Sequence, residues 1–532
     1  MASRALASNE ELWQRASKTG TGLSVTTLRF SRTISLDQVK TAAALAASRH
    51  PILAARIVRV QKPKPHWELR VSGDAPPAVP VAARSWHDVL GVDGASTLGA
   101  SESEEALRLV TQVEMNTPMS AVVGEKDEEP TDVFQVHVYP SELATCIVLR
   151  GHCAAFDRSS ALSVTRAFLS ALAAVLSGSA PSSPTWPSTG VSLPPSLASL
   201  MPKGAQAKGF FTKMVDAVGY AASSHSAMLP FQPGCADSRK NHFRSEIIPI
   251  HLSTQGAWLG GRMDGCVGGR VGGWVYMLAI RWGMRPPRTP PCCPSSRAVL
   301  TPAGTTSAPR SFPSTCPSKC AAALKAAAEE LKLKKDESFG VTSLIDCRQY
   351  CDPPLAPSAI GVFDSGLPLK HSCSHASSLW GIAGQLTQQV AFAVSKGKHF
   401  SELPVLEMLF GTVLNTPSLS PEHSLRTSFL TSFTDGPLPL DLTTAHGTSN
   451  GATNGTSNGT GDLALLQLDG VMGPLVASHG IGPSIGMPDF IKDGALQLLL
   501  VYPTPLYSPA QMAQFSVLVK NNLLAAAANQ DV

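Results

Sequence analysis

The stretch from Thr145 to Leu176 constrains this chain more than any other. Thr145 to Gly151 (TCIVLRG) is an apolar run of the kind buried strands show. Ser160 to Leu176 (SALSVTRAFLSALAAVL) carries apolar residues at helical spacing. A short connection, His152-Cys153-Ala-Ala-Phe-Asp157-Arg158-Ser-Ser, joins them. A buried strand feeding directly into a long helix belongs to a layered α/β or α+β architecture.

The rest of the chain repeats this mixture. Leu36 to Ala47 predicts a helix that stops at Pro51, because proline cannot continue it. Strands are expected at Ile57–Val60, Val133–Val138, Glu246–Leu252, Val341–Asp346, Leu463–Leu468 and Ala495–Tyr502. Helices are expected at Ser318–Lys332, Ser377–Ser395 and Pro509–Ala527. At 532 residues the chain exceeds one ordinary core. Ser177 to Pro195 is rich in Ser, Pro and Gly and reads as a linker. The division expected is an N-terminal half at 1–185, a linker and crossover at 186–240, and a C-terminal half at 241–532.

Two segments do not fit this plan. Residues 256–316 contain seven Arg, one Asp and no Lys or Glu, with runs of Gly, Pro and Ser. Such a stretch cannot bury enough apolar surface to offset its ordering entropy, so a disordered insertion is expected. A gene-model error, such as a translated intron, is the competing reading. Residues 443–461, ending in NGATNGTSNGTG, read as a flexible loop.

Composition narrows the function classes. A net charge of +4 over this length does not point to nucleic acid or anionic membrane as the main partner. The opening MASRALASNEELW has no apolar signal core, and no apolar run reaches membrane-spanning length. Eleven irregularly spaced cysteines read as reduced thiols, which places the chain in the cytoplasm, with a plastid stroma as the alternative.

Three places carry a family resemblance. Glu10-Glu11, Leu36-Asp37 and Arg49-His50-Pro51-Ile52-Leu53 resemble, in that order, the opening of condensation-type acyltransferases. Leu149-Arg-Gly-His152-Cys153-Ala-Ala-Phe-Asp157-Arg158 resembles that family's HHxxxDG signature, at the end of a strand and before a helix. Ile345-Asp346-Cys347-Arg348 and Ala495 to Pro509 are similar to a family strand ending in Arg and to a late strand before the terminal helix. The family is the chloramphenicol acetyltransferase and condensation-domain superfamily, in the flavour of alcohol acetyltransferases and phthiocerol diacyltransferases. The resemblance implies two α/β sandwich domains side by side with a tunnel between them. It also implies a thioester donor, acyl-coenzyme A or an acyl carrier, and an alcohol or amine acceptor. No bound cofactor is expected, while an acyl carrier protein is a conceivable partner.

Acyl transfer to a hydroxyl needs a base near neutral pKa, a role imidazole suits. In the family the second His of the motif is that base, and its Asp pairs with a distant Arg to hold the turn. Carried over, the first His is His152, the Asp is Asp157, the partner Arg is best matched by Arg348, the base position is Cys153 and the motif Gly is Arg158. A thiol near pKa 8.5 is mostly protonated at pH 7, so impaired activity is expected. His152 would serve only if the strand slipped by one residue, which would turn every side chain over. Cys153 as a small buried residue competes with Cys153 as a nucleophile. One departure adds to this: Lys335 to Phe339 leads straight into Val341, where the family has another helix before the Arg-bearing strand. A catalytically silent protein that binds an acyl group or a protein partner is the rival reading.

Other motifs carry less. His371-Ser-Cys373-Ser-His375 looks like a ligand cluster but reads as a Ser-rich loop without a fourth ligand, so no metal is assigned. Cys292-Cys293 and Cys316 with Cys320 earn no metal either. His50 reads as a turn histidine. The glycines from Gly260 to Gly273 lack the strand-turn-helix context of a nucleotide loop.

Overall fold

Period-two and period-3.6 apolar patterns resolve into sheets covered by helices, as burying one face of each requires. The structure is a computed structural model. It describes residues 2–17, 21–61, 63–71, 78–90, 100–119, 130–180, 192–203, 227, 229–233, 244–252, 315–415, 429–432, 466–476, 485–492 and 495–528. The insertion expected at 256–316 lies outside the described residues up to position 314, as does the loop expected at 443–461. The principal strands are β1 (Leu23–Phe30), β2 (Phe134–Pro140), β3 (Thr145–His152), β4 (Arg244–His251), β5 (Glu337–Asp346), β6 (Asp364–Cys373), β7 (Leu468–Val476) and β8 (Ala495–Thr504). The principal helices are α1 (Ser8–Ser17), α2 (Leu36–Arg49), α3 (Ala100–Met115), α4 (Arg158–Leu176), α5 (Thr315–Glu330), α6 (Leu379–Ser395), α7 (Leu403–Asn415) and α8 (Pro509–Ala527).

One sheet runs β7-β1-β3-β2 and ends on the short strand Val81–Ala83. β3 is paired on both sides and all eight of its residues are buried, which is why its middle, Cys146 to Leu149, is apolar without a break. α2 and α4 pack together beside this sheet. α2 opens with a capping box between Ser35 and Gln38 and stops at His50, before Pro51 starts a short turn of 3-10 helix. His50 itself ends α2 through its backbone N–H, which donates to Ala46 at 3.0 Å.

The second sheet runs β6-β5, then Phe429–Ser432, Ile485–Gly486, β8 and Asp489–Lys492, with β4 also on β8. α5 packs against α6 and α8 on it. A smaller sheet joins Ala2–Ala5, His66–Val71, Arg56–Val60 and Thr131–Asp132. Only a turn separates the end of α5 at Glu330 from the start of β5 at Glu337, so no helix intervenes there.

The strand expected at Leu463–Leu468 lies outside the described residues up to position 465; the described strand here is β7, which begins at Leu468 and runs to Val476. Gly470, Gly473 and Pro474 hid it, because proline cannot donate to a ladder and is tolerated mainly on sheet edges. β7 is such an edge, and its register shifts twice against β1. Gly473 has φ +109°, and a Cβ there would lie 2.4 Å from the Val25 carbonyl oxygen, so only glycine fits. The Ser-rich loop expected around His371 is the end of β6. His371 and Cys373 are buried on one face of it, two residues apart as strand alternation requires. His375 lies in the exposed turn beyond, its Nδ1 2.6 Å from the Leu333 carbonyl oxygen. No group of metal-ligating side chains occurs among the described residues.

The two parts of the chain interlock. β7 follows most of the second part in sequence yet pairs with β1 in the first sheet. Asn116 exchanges two hydrogen bonds of 2.8 Å with the backbone of Ser245 at the start of β4. Trp13 on α1 meets Phe410 on α7 edge to face at 5.4 Å. Among the described residues one helix, α4, is long and apolar enough to cross a membrane, and half of its apolar window is buried in the fold.

Candidate functional site

β3 ends at His152, and Cys153 to Ala155 turn the chain toward α4. Asp157 caps that helix: its Oδ1 accepts the Ser160 N–H at 2.7 Å. Its backbone N–H donates to the Gly361 carbonyl at 3.1 Å, and its Oδ2 accepts the Phe363 N–H at 2.8 Å. The turn is thus stitched to the segment just before β6, about two hundred residues away.

Arg348 completes the stitch. Its Nη2 donates to Asp157 Oδ1 at 2.9 Å and its Nη1 to Asp346 Oδ1 at 2.9 Å. Nη2 also reaches Ser160 Oγ at 2.9 Å, and Nε donates to the Ala359 carbonyl at 3.0 Å. The guanidinium carbon lies 5.0 Å from the Phe363 ring centroid. Asp157 and Arg348 are both buried. The structure therefore brings these two sequence-predicted residues together, with Asp346 as a second carboxylate on the same guanidinium. Burial pulls the Arg348 pKa down, and the two carboxylates more than reverse that.

His152 is fully buried. Its Nδ1 accepts the Ala154 N–H at 3.0 Å, which leaves the ring proton on Nε2, and Nε2 has no hydrogen-bond partner among the described residues. Burial lowers its pKa to about 4. Cys153 is the first residue of the turn, and its N–H donates to the Gly22 carbonyl at 2.8 Å. Burial drives its thiol pKa far up, and the Asp364 and Asp157 carboxylates add to the rise. The thiol stays protonated at neutral pH. Neither residue is a ready base.

Arg158, where the family motif has Gly, crosses between the sheets. Its guanidinium donates to the backbone carbonyl of Asp489 and lies 3.4 Å from Asp489 Oδ1. Lys319 Nζ sits 2.6 Å from the same oxygen. Burial pushes the Asp489 carboxyl up, yet the two cations outweigh it and hold it below its usual range. Because Lys319 remains, Arg158→Ala should cost only about 1.5–3 kcal/mol, the worth of a hydrogen bond to a charged group. Urea unfolding checks this, and a loss below 0.5 kcal/mol (on the order of a surface substitution) would show that the bridge is idle.

Sequence reasoning missed two features. One is a buried polar group in the first sheet. His137 Nδ1 lies 2.7 Å from Glu114 Oε1, Tyr139 Oη donates to that oxygen at 2.6 Å, and Arg150 Nε is 3.2 Å from Oε2. These residues sit on three elements, so no local spacing announced them. The other is Asp364, the first residue of β6, which lies opposite Asp346 in the antiparallel register and is partly exposed. An Asp opening a strand looks like ordinary solvated polarity.

No protein-family model matches the sequence, and no curated protein does. Solved structures do match. The chain is similar to trichothecene 15-O-acetyltransferase from Fusarium sporotrichioides, at 12% identity and a TM-score of 0.61, over 98% of this chain and 95% of that one. It is similar to polyketide synthase associated protein 5 from Mycobacterium tuberculosis, at 14% identity and 0.55, over 99% and 98%. It is also similar to the epimerization domain from the third module of tyrocidine synthetase B, at 13% identity and 0.56, over 99% and 98%. These structures share the fold that the resemblance implied, that of condensation domains and chloramphenicol-acetyltransferase-like enzymes, and the chain carries it over nearly its whole length.

Proposed function

We propose that this chain, in the condensation-domain and acetyltransferase fold, transfers an acyl group from a thioester to an alcohol or amine. The donor is acyl-coenzyme A or an acyl carrier thioester, and the two halves, 1–185 and 241–532, wall a tunnel that admits donor and acceptor from opposite mouths. The observation that carries this reading is the buried Asp157–Arg348 pair at 2.9 Å, which fixes the turn after β3 to the segment between β5 and β6. A turn held in that way positions whatever sits at Cys153 for two bound substrates. The chemistry would be slower than with an imidazole there, because the Cys153 thiol does not give up its proton.

The rival is a silent acyl-binding or protein-binding role, favoured by the same protonated thiol and by the sealed imidazole of His152. Release of free thiol from acyl-coenzyme A with a panel of alcohols and amines separates the two. Acceptor-dependent release supports transfer, whereas donor binding without release supports the silent role.

A further inference from the structure

Among the described residues, one ionised group around the Asp157 turn has no ion-pair partner. Arg348 directs its donors to Asp157, Asp346, Ser160 and the Ala359 carbonyl. Asp346 also accepts the Ser159 hydroxyl at 3.0 Å. Asp364 stands opposite Asp346 at the head of β6, and among the described residues no side chain donates a hydrogen bond or ion pair to its carboxyl, which has only its own backbone N–H. Phe363 and Ser365 on either side of it are buried, while Asp364 keeps a partly open surface. Strand alternation puts its side chain on the face opposite Ser365. Its neighbour Phe363 is bound through its N–H to Asp157 Oδ2 at 2.8 Å, which sets Asp364 against the turn that carries Cys153, and its charge acts on that thiol.

We propose that Asp364 is the general base of this site, taking the acceptor proton that an imidazole at position 153 would otherwise take. This rests on the acyl-transfer reading. The Asp364 carboxylate removes the hydroxyl proton as the acceptor oxygen attacks the thioester carbonyl. A tetrahedral oxyanion forms and collapses, the carbon–sulfur bond breaks, and the thiolate leaves. That thiolate recovers the proton from Asp364, so the products are the ester and a free thiol, and the carboxylate is regenerated. The proton is borrowed and returned, and no other reactant is consumed.

The surroundings fit the task. Burial raises the Asp364 carboxyl to about 7, the Asp157 and Asp346 carboxylates add to that, and Arg348 and the residue's own backbone N–H oppose it. A base whose pKa lies near the working pH is the most effective kind. Cys153 and Cys347, the other titratable neighbours its charge acts on, both stay protonated. His152 is sealed in the core and holds no free acceptor, because Nδ1 is occupied.

Asp364→Asn tests this in two ways. In thiol-release assays it should lower kcat by about 10²–10⁴ with KM for the thioester unchanged, and the native fall of kcat below pH 7 should vanish. An infrared pH titration should show a carboxyl titrating near neutrality in the native chain and not in the variant. Asp364→Asn should unfold at an equal or higher urea concentration at pH 8, since it removes a charge that burial disfavours. A variant within threefold of native turnover, or with the acid limb intact, overturns the proposal and leaves the transfer reading standing. Absence of the infrared titration overturns it regardless of turnover. A native chain that shows the titration but transfers nothing sinks the transfer reading and the catalytic role with it.

Discussion

Lowering the pH from 7 to 4.5 should strip this protein of a large part of its stability. His152, His371 and His399 are buried, and burial lowers each to about 4. Neither ring nitrogen of His371 or His399 finds a hydrogen-bond partner among the described residues. The sign follows from proton counting. The unfolded chain takes up a proton at each histidine near pH 6.5 and the folded chain does not, so stability is complete above 6.5 and drains away as pH falls toward 4. Each histidine contributes at most about 3 kcal/mol over that window. Asp364 acts in the opposite sense, since its folded-state carboxyl is raised to about 7 and protonation on folding favours the native state in acid. It offsets roughly one histidine, leaving a net loss of about 6 kcal/mol at most. Urea midpoints measured from pH 8 to 4.5 should be level and then fall, and His371→Phe with His399→Phe should flatten the slope. A midpoint that holds steady or rises on acidification contradicts the burial of these rings as neutral groups.

Arg348→Ala should destabilise the chain by about 3–5 kcal/mol, because it strands a buried carboxylate, Asp157, and a half-buried one, Asp346, on a site built around one cation. Asp157 and Asp346 would lose their shared counter-charge, and the backbone of Ala359 would lose its donor. Asp157→Asn should cost less, since the one amide oxygen of Asn can still cap α4 and Arg348 keeps Asp346 as its counter-charge, although the amide nitrogen can no longer accept the Phe363 N–H. The double substitution should cost less than the sum of the two, because the pair is gone after the first. Thermal or urea unfolding of the four chains reads this cycle. An Arg348→Ala chain within 1 kcal/mol of native (roughly an ordinary surface change) would mean that the pair fixes nothing.

What could be read in advance was whatever a single element announces. β3 and α4 were visible because one is buried on both faces and the other shows a helical stripe. Asp157 and Arg348 were visible only through the family resemblance, as the counterparts of the motif Asp and of the Arg that follows a family strand. β7 was hidden by its glycines and Pro474, which obey edge rules that local propensity does not carry. The Glu114, His137 and Arg150 group joins α3, β2 and β3, and its members look like solvent-facing polarity until the sheet is assembled. The role of Arg158 was equally hidden, since its contact with Asp489 spans 331 residues. Asp364 was the least legible. Nothing near it in sequence says that Arg348 will be fully engaged elsewhere, and that allocation leaves its carboxylate without an ion-pair partner among the described residues.

The most direct test of acyl transfer without a base at position 153 is the rate of acceptor-dependent free-thiol release by the native chain and by Cys153→Ala. The account predicts measurable native turnover that Cys153→Ala leaves within about threefold, since a thiol that stays protonated contributes no general-base term. Cys153→His should raise the rate, by up to about 10²-fold, by placing an imidazole next to the Asp364 carboxylate. Turnover that disappears in a folded Cys153→Ala chain would make the thiol the nucleophile or the base, and would contradict the account.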